Sequence, residues 1–312
     1  MARFALGLAE SGNYPACVTG ARTWFPAKER ALATGIFNAG TNVGAMITPF
    51  LVPWITVYLG WPATFFWTGA LGFIWLGCWW LFYRNPEEHP RLSSNELAYI
   101  KRDPEPLPVK IPYHTLLKYR TTWAYAVGNL LSVPIWWFYL FWIPDFLHKT
   151  QGLNLTSLGP PLLVIYLMTD VGSVAGGALS SFFVARGMSP QGARKLAMLV
   201  CVICITPIIL APRVSHLWLA TLIIGFAASA HQAGTTNIWT LVQDSAPRQA
   251  VSSVFSIGGM VGAVGGMVVA KVAGYVLETT NIYMLLFLMI PACYATGLVL
   301  LQVIMPREPE YA

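Results

Sequence analysis

The chain has 312 residues, of which 56% are Ala, Val, Ile, Leu, Met, Phe, Trp, Tyr or Cys and only 10% are Asp, Glu, Lys or Arg, giving a mean hydropathy of +0.58. That composition excludes a soluble domain of this length. The net charge of +6 would suit a nucleic acid or an acidic partner, so the placement of the basic residues has to decide.

Nine apolar segments follow in chain order, at roughly 3–24, 31–58, 62–83, 121–145, 159–185, 195–213, 216–242, 249–276 and 281–304. Each can cross a hydrocarbon core of about 30 Å as a helix of about 20 residues. They are apolar on every face, whereas an outer-membrane barrel shows strands of about 10 alternating residues. The expected fold class is an all-α multi-pass membrane protein.

If alternate loops face the cytoplasm, the inner set is Arg22, Lys28, Arg30, Arg84, Arg91, Lys101, Arg102, Lys110, Lys118, Arg120, Arg186, Arg194, Lys195, Arg248 and Arg307. Only Arg3, Lys149, Arg213 and Lys271 of the 19 Lys and Arg fall at outer ends or loops. The positive-inside rule accounts for this asymmetry, so the charge reads as topology and not as nucleic-acid binding.

In the first segment Glu10 lies about eight residues in, roughly 12 Å down at about 1.5 Å per residue. Arg3 is seven residues earlier, on the same face two turns above. A carboxylate that can take a proton beside an arginine that keeps its charge is the minimum apparatus for coupling proton entry to substrate movement. A structural salt link between helices is the alternative. The second segment offers Asn38, Thr41 and Asn42 as a polar set, flanked by Gly35, Gly40 and Gly44, which permit close helix contact.

Between residues 84 and 120 runs a polar, proline-rich stretch in which Ser93-Ser94-Asn95-Glu96 forms a capping-box pattern opening a short surface helix. It reads as a connector, giving expected domains at 1–84, 85–119 and 120–312. Beyond it, Tyr139 and Trp142 in the fourth segment present aromatic rings with polar handles, either lining a cavity or packing. Asp170 in the fifth sits among Gly172, Ser173, Gly176 and Gly177, a setting equally suited to coupling or to close helix packing.

The seventh segment is dense in hydrogen-bonding groups: His231, Gln232, Thr235, Thr236, Asn237 and Trp239. Lipid contact would leave these unsatisfied, so they face a polar cavity or neighbouring helices. Gln232 and Asn237 suit ligand hydroxyls, and the Trp239 indole suits an apolar ring face. His231 has no accompanying ligand cluster, so no metal site is expected. Lys271, near an outer helix end, can snorkel. The five cysteines all fall in apolar segments, and Cys201 and Cys204 read as two small fillers on one helix.

Arg30, Gly40, Gly44 and Ala45 recur as Arg248, Gly258, Gly262 and Ala263 at a constant offset of 218 residues. Two related bundles of six helices with their last three aligned fit this repeat, as in the parallel halves of major facilitator transporters. The nine segments then correspond to helices 4 to 12 of twelve, in which case about 96 residues, the distance from 120 to 216 in the second bundle, are expected upstream.

The runs Arg3-Phe4-Ala5-Leu6-Gly7, Glu10-Ser11-Gly12-Asn13-Tyr14-Pro15, Trp24-Phe25-Pro26 and Glu29 through Ala45 resemble the anion:cation symporter family of major facilitators, most of all its hexuronate transporters. Pro86-Glu87-Glu88-His89-Pro90, His231-Gln232 and Gly258-Gly259-Met260 extend the resemblance along the chain. It implies import of a small anionic sugar acid such as glucuronate or galacturonate by alternating access. It further implies a proton as coupling ion, no cofactor, a bacterial inner membrane and a monomer. The family's coupling pair falls on Arg3 and Glu10. Its charged cluster in the first helix has no counterpart in this sequence, which on its own is therefore expected not to bind and transport normally.

Other small organic anions, among them aldonates, aromatic acids and dicarboxylic acids, are the alternative cargo, and a transporter-derived sensor is a further one. No nucleophile-and-base set or phosphate-cradling loop supports an enzyme or a primary pump.

Overall fold

The computed structural model describes residues 2–10, 16, 20, 23–25, 27–101, 112–245 and 250–306, without the side chains of 2, 3, 27–42, 242–244 and 252. Among the described residues the structure is helical throughout, with no strand. Among the described residues seven helices are long and apolar enough to cross a membrane. The expectation of nine spans is not tested to that number. Nearly half of the first expected span, and the turn before the eighth, lie outside the described residues. The backbone divides into two compact units, residues 1–107 and 108–312, the boundary falling within the proline-rich connector.

In the first unit α1 spans Ala2–Glu10, α2 Ala27–Leu59 and α3 Trp61–Phe82. Gly60, at φ 81°, turns the chain between α2 and α3, and Pro62 sits in the first turn of α3, where a missing N–H costs nothing. Thr56 and Thr64 share a hydroxyl hydrogen bond across that turn at 3.0 Å. The capping pattern behaves as expected: Ser93 Oγ accepts from Glu96 N at 3.2 Å and opens α4, Ser94–Ile100. Lys101 holds Glu87 at 2.8 Å, and this donated hydrogen bond, foremost, keeps the Glu87 carboxyl below its ordinary range. The His89 ring stands edge-on to Trp24, centroids 5.3 Å apart.

The second unit opens with the single turn α5, Tyr113–Leu116, and continues with α6 Arg120–Gln151, α7 Gly159–Ala185, α8 Pro190–Ile205, α9 Leu217–Ser245, α10 Val251–Thr280 and α11 Tyr283–Ile304. One expected segment changes character. The stretch 195–213 is α-helical only to Ile205 and tightens into a 3-10 helix over Thr206–Arg213, which contains Pro207 and Pro212. Each proline removes a backbone donor and crowds the preceding turn, and two of them five residues apart favour the change of winding here. The fourth segment runs past its expected end at 145 to Gln151, where Gly152 adopts the left-handed conformation at φ 67° that terminates α6.

In lipid the hydrophobic effect does not drive helix association, so close backbone contact and hydrogen bonds do. The pairing of α7 with α9 illustrates both. A Cβ placed on Gly176 would lie 2.6 Å from Ala233 Cβ and 2.7 Å from Ala233 O, so only glycine fits there. The contact lets Asn237 Nδ2 donate to the Gly176 carbonyl across the interface at 2.9 Å. Ser173 and Thr236 hydroxyls add a bond at 3.1 Å. Helix α10 lies equally close on α6, where a Cβ on Gly262 would come 2.9 Å from Val133 Cγ2.

At one end of the bundle Phe146 packs against Tyr283 and Phe287, with centroids 5.3 and 4.9 Å away. The Tyr283 hydroxyl donates to Asp145, which Lys149 also neutralises at 3.2 Å. At the other end Arg120 donates to the Val303 carbonyl at 2.9 Å and Gln191 to the Pro306 carbonyl at 2.8 Å. Both satisfy carbonyls left open where α11 ends.

Candidate functional site

Buried polar groups inside a bundle need partners, so a cluster of them at mid-span marks a place built for more than packing. Helix α9 supplies the centre. His231 lies 14 residues after Leu217, about 21 Å along the helix axis, and is 1% exposed. Tyr294 sits near the middle of α11, and its hydroxyl is hydrogen-bonded to His231 Nδ1. From α6, the Trp136 ring lies parallel to the imidazole at 2° with centroids 6.0 Å apart, and the Tyr139 ring stands 5.7 Å away, tilted by 49°. Tyr166 of α7 meets Trp136 edge-on at 6.5 Å.

Three helices, α6, α9 and α11, therefore meet at one imidazole, and α7 reaches it only through Trp136. Trp136 and Tyr139 reach it together because they are three residues apart, on one face of α6. The Tyr139 hydroxyl is buried with no hydrogen-bond partner, a state that costs about 1–3 kcal/mol. An orphan hydroxyl beside a histidine and a flat indole face is chemically suited to a ligand that brings oxygen atoms on one edge and C–H groups on the other.

Beside this cluster, behind Tyr294, lies a narrow apolar crevice with room for about 20 Å³, roughly the space of one water. Leu131, Met198, Ile238 and Leu298 line it, and its polar feature is Ser132 Oγ, buried without a partner.

The other expected site residues distribute as follows. Glu10 is exposed at the end of α1, on which Arg3 also lies; the Arg3 side chain is outside the described residues. Asn38, Thr41 and Asn42 fall on α2 with side chains likewise outside the description. Trp142 is half-buried one turn beyond Tyr139 and lies against α10, its ring 3.9 Å from where a Cβ on Gly274 would be. Gln232 is half-buried beside His231. Asn237 is fully buried and spends its amide N–H groups on the Gly176 and Ala233 carbonyls, both at 2.9 Å. Trp239 stacks edge-on against Phe255 at 5.5 Å within the packed core of α6, α9 and α10. Asp170 is half-buried on α7, one turn past Tyr166.

Thus the structure brings His231 and Tyr139 together and does not bring Trp239 to them. Sequence reasoning passed over Trp136, Tyr166 and Tyr294. The three-residue spacing to Tyr139 could have found Trp136, whereas nothing local to α11 singles out Tyr294. Among the described residues no group of three or more His, Cys, Asp or Glu is arranged to hold a metal.

Residues 1–270 match the sequence profile of the Major Facilitator Superfamily. The chain is similar to the hexuronate transporter of Escherichia coli K12, 30% identical over 316 residues covering 99% of this chain and 73% of that protein. It is also similar to the galacturonate transporter of Dickeya chrysanthemi, 35% identical over 59% of this chain and 54% of that protein. A third relative is the probable galactarate/D-glucarate transporter GarP of E. coli K12, 28% identical over 88% of this chain and 65% of that protein. Among solved structures, a bacterial homologue of the human lysosomal transporter Spinster, inward-facing and unoccupied, matches with a TM-score of 0.54 at 15% identity, over 91% of this chain and 72% of that one. That likeness concerns the fold alone.

Proposed function

The chain belongs to the Major Facilitator Superfamily of multi-pass membrane transporters, and we propose that it is a secondary carrier importing a hexuronate by proton symport. The observation that carries this reading is the buried cluster of His231, Trp136 and the unpartnered Tyr139 hydroxyl at mid-span. It occurs in a chain 30% identical to a hexuronate transporter over nearly all its length. A hexuronate fits such a cluster chemically: its hydroxyl and carboxylate oxygens pair with Tyr139 and His231 while a sugar C–H face lies on the indole.

In this reading the second unit supplies the His231 cluster, with Gln232 and Trp142 nearby, and Asn38, Thr41 and Asn42 are further candidate polar residues for the substrate. Glu10 takes the coupling proton and Arg3 is its counter-charge. Protonation of Glu10 neutralises its attraction for Arg3, which lowers the cost of passing between outward- and inward-open states. Asp170 is a second carboxylate in the bundle and either joins this relay or serves packing. The carrier works as a monomer in the bacterial inner membrane, with the proton as coupling ion and no cofactor.

A dicarboxylic sugar acid is the second reading, supported by the 28% identity to the galactarate/D-glucarate transporter. Uptake of labelled glucuronate, galacturonate and galactarate into proteoliposomes under an imposed proton gradient separates the two. Gradient-driven uronate uptake, with Glu10→Gln carrying out exchange but no longer accumulating substrate, is the expected result. Uptake of galactarate alone replaces the hexuronate reading, and gradient-independent uptake overturns the symport.

A further inference from the structure

We infer that Tyr294 is a positioning residue: its hydroxyl donates to His231 Nδ1 and thereby fixes the imidazole as the tautomer whose Nε2 carries the proton and acts as a donor to the substrate. This deepens, and rests on, the sugar-acid reading of the His231 cluster.

A neutral imidazole has one N–H and one lone pair, so whatever occupies Nδ1 decides what Nε2 can offer. The Tyr294 hydroxyl has one proton and reaches two acceptors on His231, Nδ1 and the carbonyl, while the Thr235 hydroxyl is turned toward its oxygen as a donor. The carbonyl is 3.4 Å away, beyond the range of about 2.5–3.0 Å for an O–H···O bond. The contact with Nδ1 is the closer one, so the proton goes to Nδ1 and Nδ1 accepts. Nε2 is then an N–H. In the opposite arrangement Nδ1–H would donate to the hydroxyl oxygen and Nε2 would present a lone pair, which repels a carboxylate.

Burial makes the choice matter. His231 and Tyr294 are 1% and 7% exposed, so no bulk water can correct a wrong tautomer. With Nε2–H as donor and the Tyr139 hydroxyl unpartnered beside it, the cluster selects a ligand rich in acceptor oxygens. The parallel Trp136 ring restricts the imidazole plane, which leaves the tautomer as the remaining variable at this residue. Tyr294 needs no substrate contact for this role.

Two measurements on the full-length carrier test the assignment. In the first, 15N NMR of histidine-labelled protein without substrate, with the His231 signals identified by their loss in His231→Gln, reads the tautomer directly. A bare Nδ1 and a protonated Nε2 are expected, and Tyr294→Phe should mix or reverse them. A protonated Nδ1 in the unsubstituted protein overturns the inference whatever the cargo proves to be.

In the second, uptake kinetics compare variants. Tyr294→Phe keeps the ring and should raise KM about three- to tenfold with little change in maximal rate, the size of one lost hydrogen bond. His231→Gln places an amide N–H where Nε2 sits and should retain more affinity than His231→Asn, whose amide replaces Nδ1. Adding Tyr294→Phe to His231→Gln should cost nothing more, because its partner nitrogen is gone. Additive losses in that double variant, or an unchanged KM in Tyr294→Phe, overturn the proposal. If the unsubstituted carrier takes up no uronate while the NMR shows the protonated Nε2, the cargo reading fails and the tautomer assignment stands.

Discussion

Two adjacent glycines on α7 should respond to the same substitution with opposite signs. At Gly176 an added methyl would lie 2.6 Å from Ala233 Cβ and 2.7 Å from its carbonyl oxygen, so α9 must move. Overpacking of this kind costs about 1–3 kcal/mol. The same shift stretches the Asn237 Nδ2 bond to the Gly176 carbonyl, 2.9 Å long, and an interhelical bond in a membrane is worth about 0.6 and at most about 1.7 kcal/mol. Alanine's higher helix preference returns about 1 kcal/mol. Gly176→Ala should therefore destabilise the second unit by about 1 to 4 kcal/mol, the three contributions taken together. At Gly177 the nearest atom to an added Cβ is Thr236 Cγ2 at 3.9 Å, an ordinary contact. Gly177→Ala should then stabilise by about 0.5–1 kcal/mol. Thermal unfolding of the purified protein in detergent, followed by tryptophan fluorescence, checks both against the parent. With about 2–4 °C per kcal/mol for a unit of this size, the two variants should lie clearly on opposite sides. Equal shifts, or a Gly176→Ala variant no less stable than the parent, would refute the close-packing argument.

Three further expectations follow from individual contacts. Tyr283→Phe removes the donor to Asp145 and should cost about 1 kcal/mol, appearing as faster hydrogen exchange at the start of α11. Arg120→Ala opens the Val303 carbonyl, so protease should cut sooner near residues 303–306 while the midpoint of global unfolding hardly changes. The Glu87 carboxyl is held below its ordinary value of 4.5 first by the hydrogen bond from Lys101. A depressed carboxylate contributes stability that is present above its unfolded value and lost as pH falls through the folded one, so the link between Glu87 and α4 should weaken only in acid. Both side chains are about half exposed, so salt should weaken the contact. Lys101→Ala should bring the Glu87 titration, read by carboxyl NMR, back toward the ordinary value.

Much of this protein is determined by the sequence alone, for a solvent reason. A hydrocarbon core leaves no partner for a bare backbone, so long apolar runs must be helices. Their ends are written locally: Ser93 before Glu96, Ser189 before Pro190 and Gly152 after α6 each act on the adjacent turn. The sidedness of the lysines and arginines is likewise linear information, as is the membership of a transporter family. The polar density around His231 was also visible, since buried hydrogen-bonding groups on an apolar helix cannot face lipid.

Tertiary structure decided which of those groups meet. Gln232, Asn237 and Trp239 have the same apparent suitability in the sequence. Only the close approach of α7 and α9 at Gly176 commits the Asn237 amide to a neighbouring carbonyl, and only the seat of α10 on α6 turns Trp239 toward Phe255. Tyr294 lies 63 residues from His231, and no local pattern on α11 marks it. Helix period fixes which residues share a face, but which face meets which neighbour depends on where small residues let two backbones touch, and that is settled between helices.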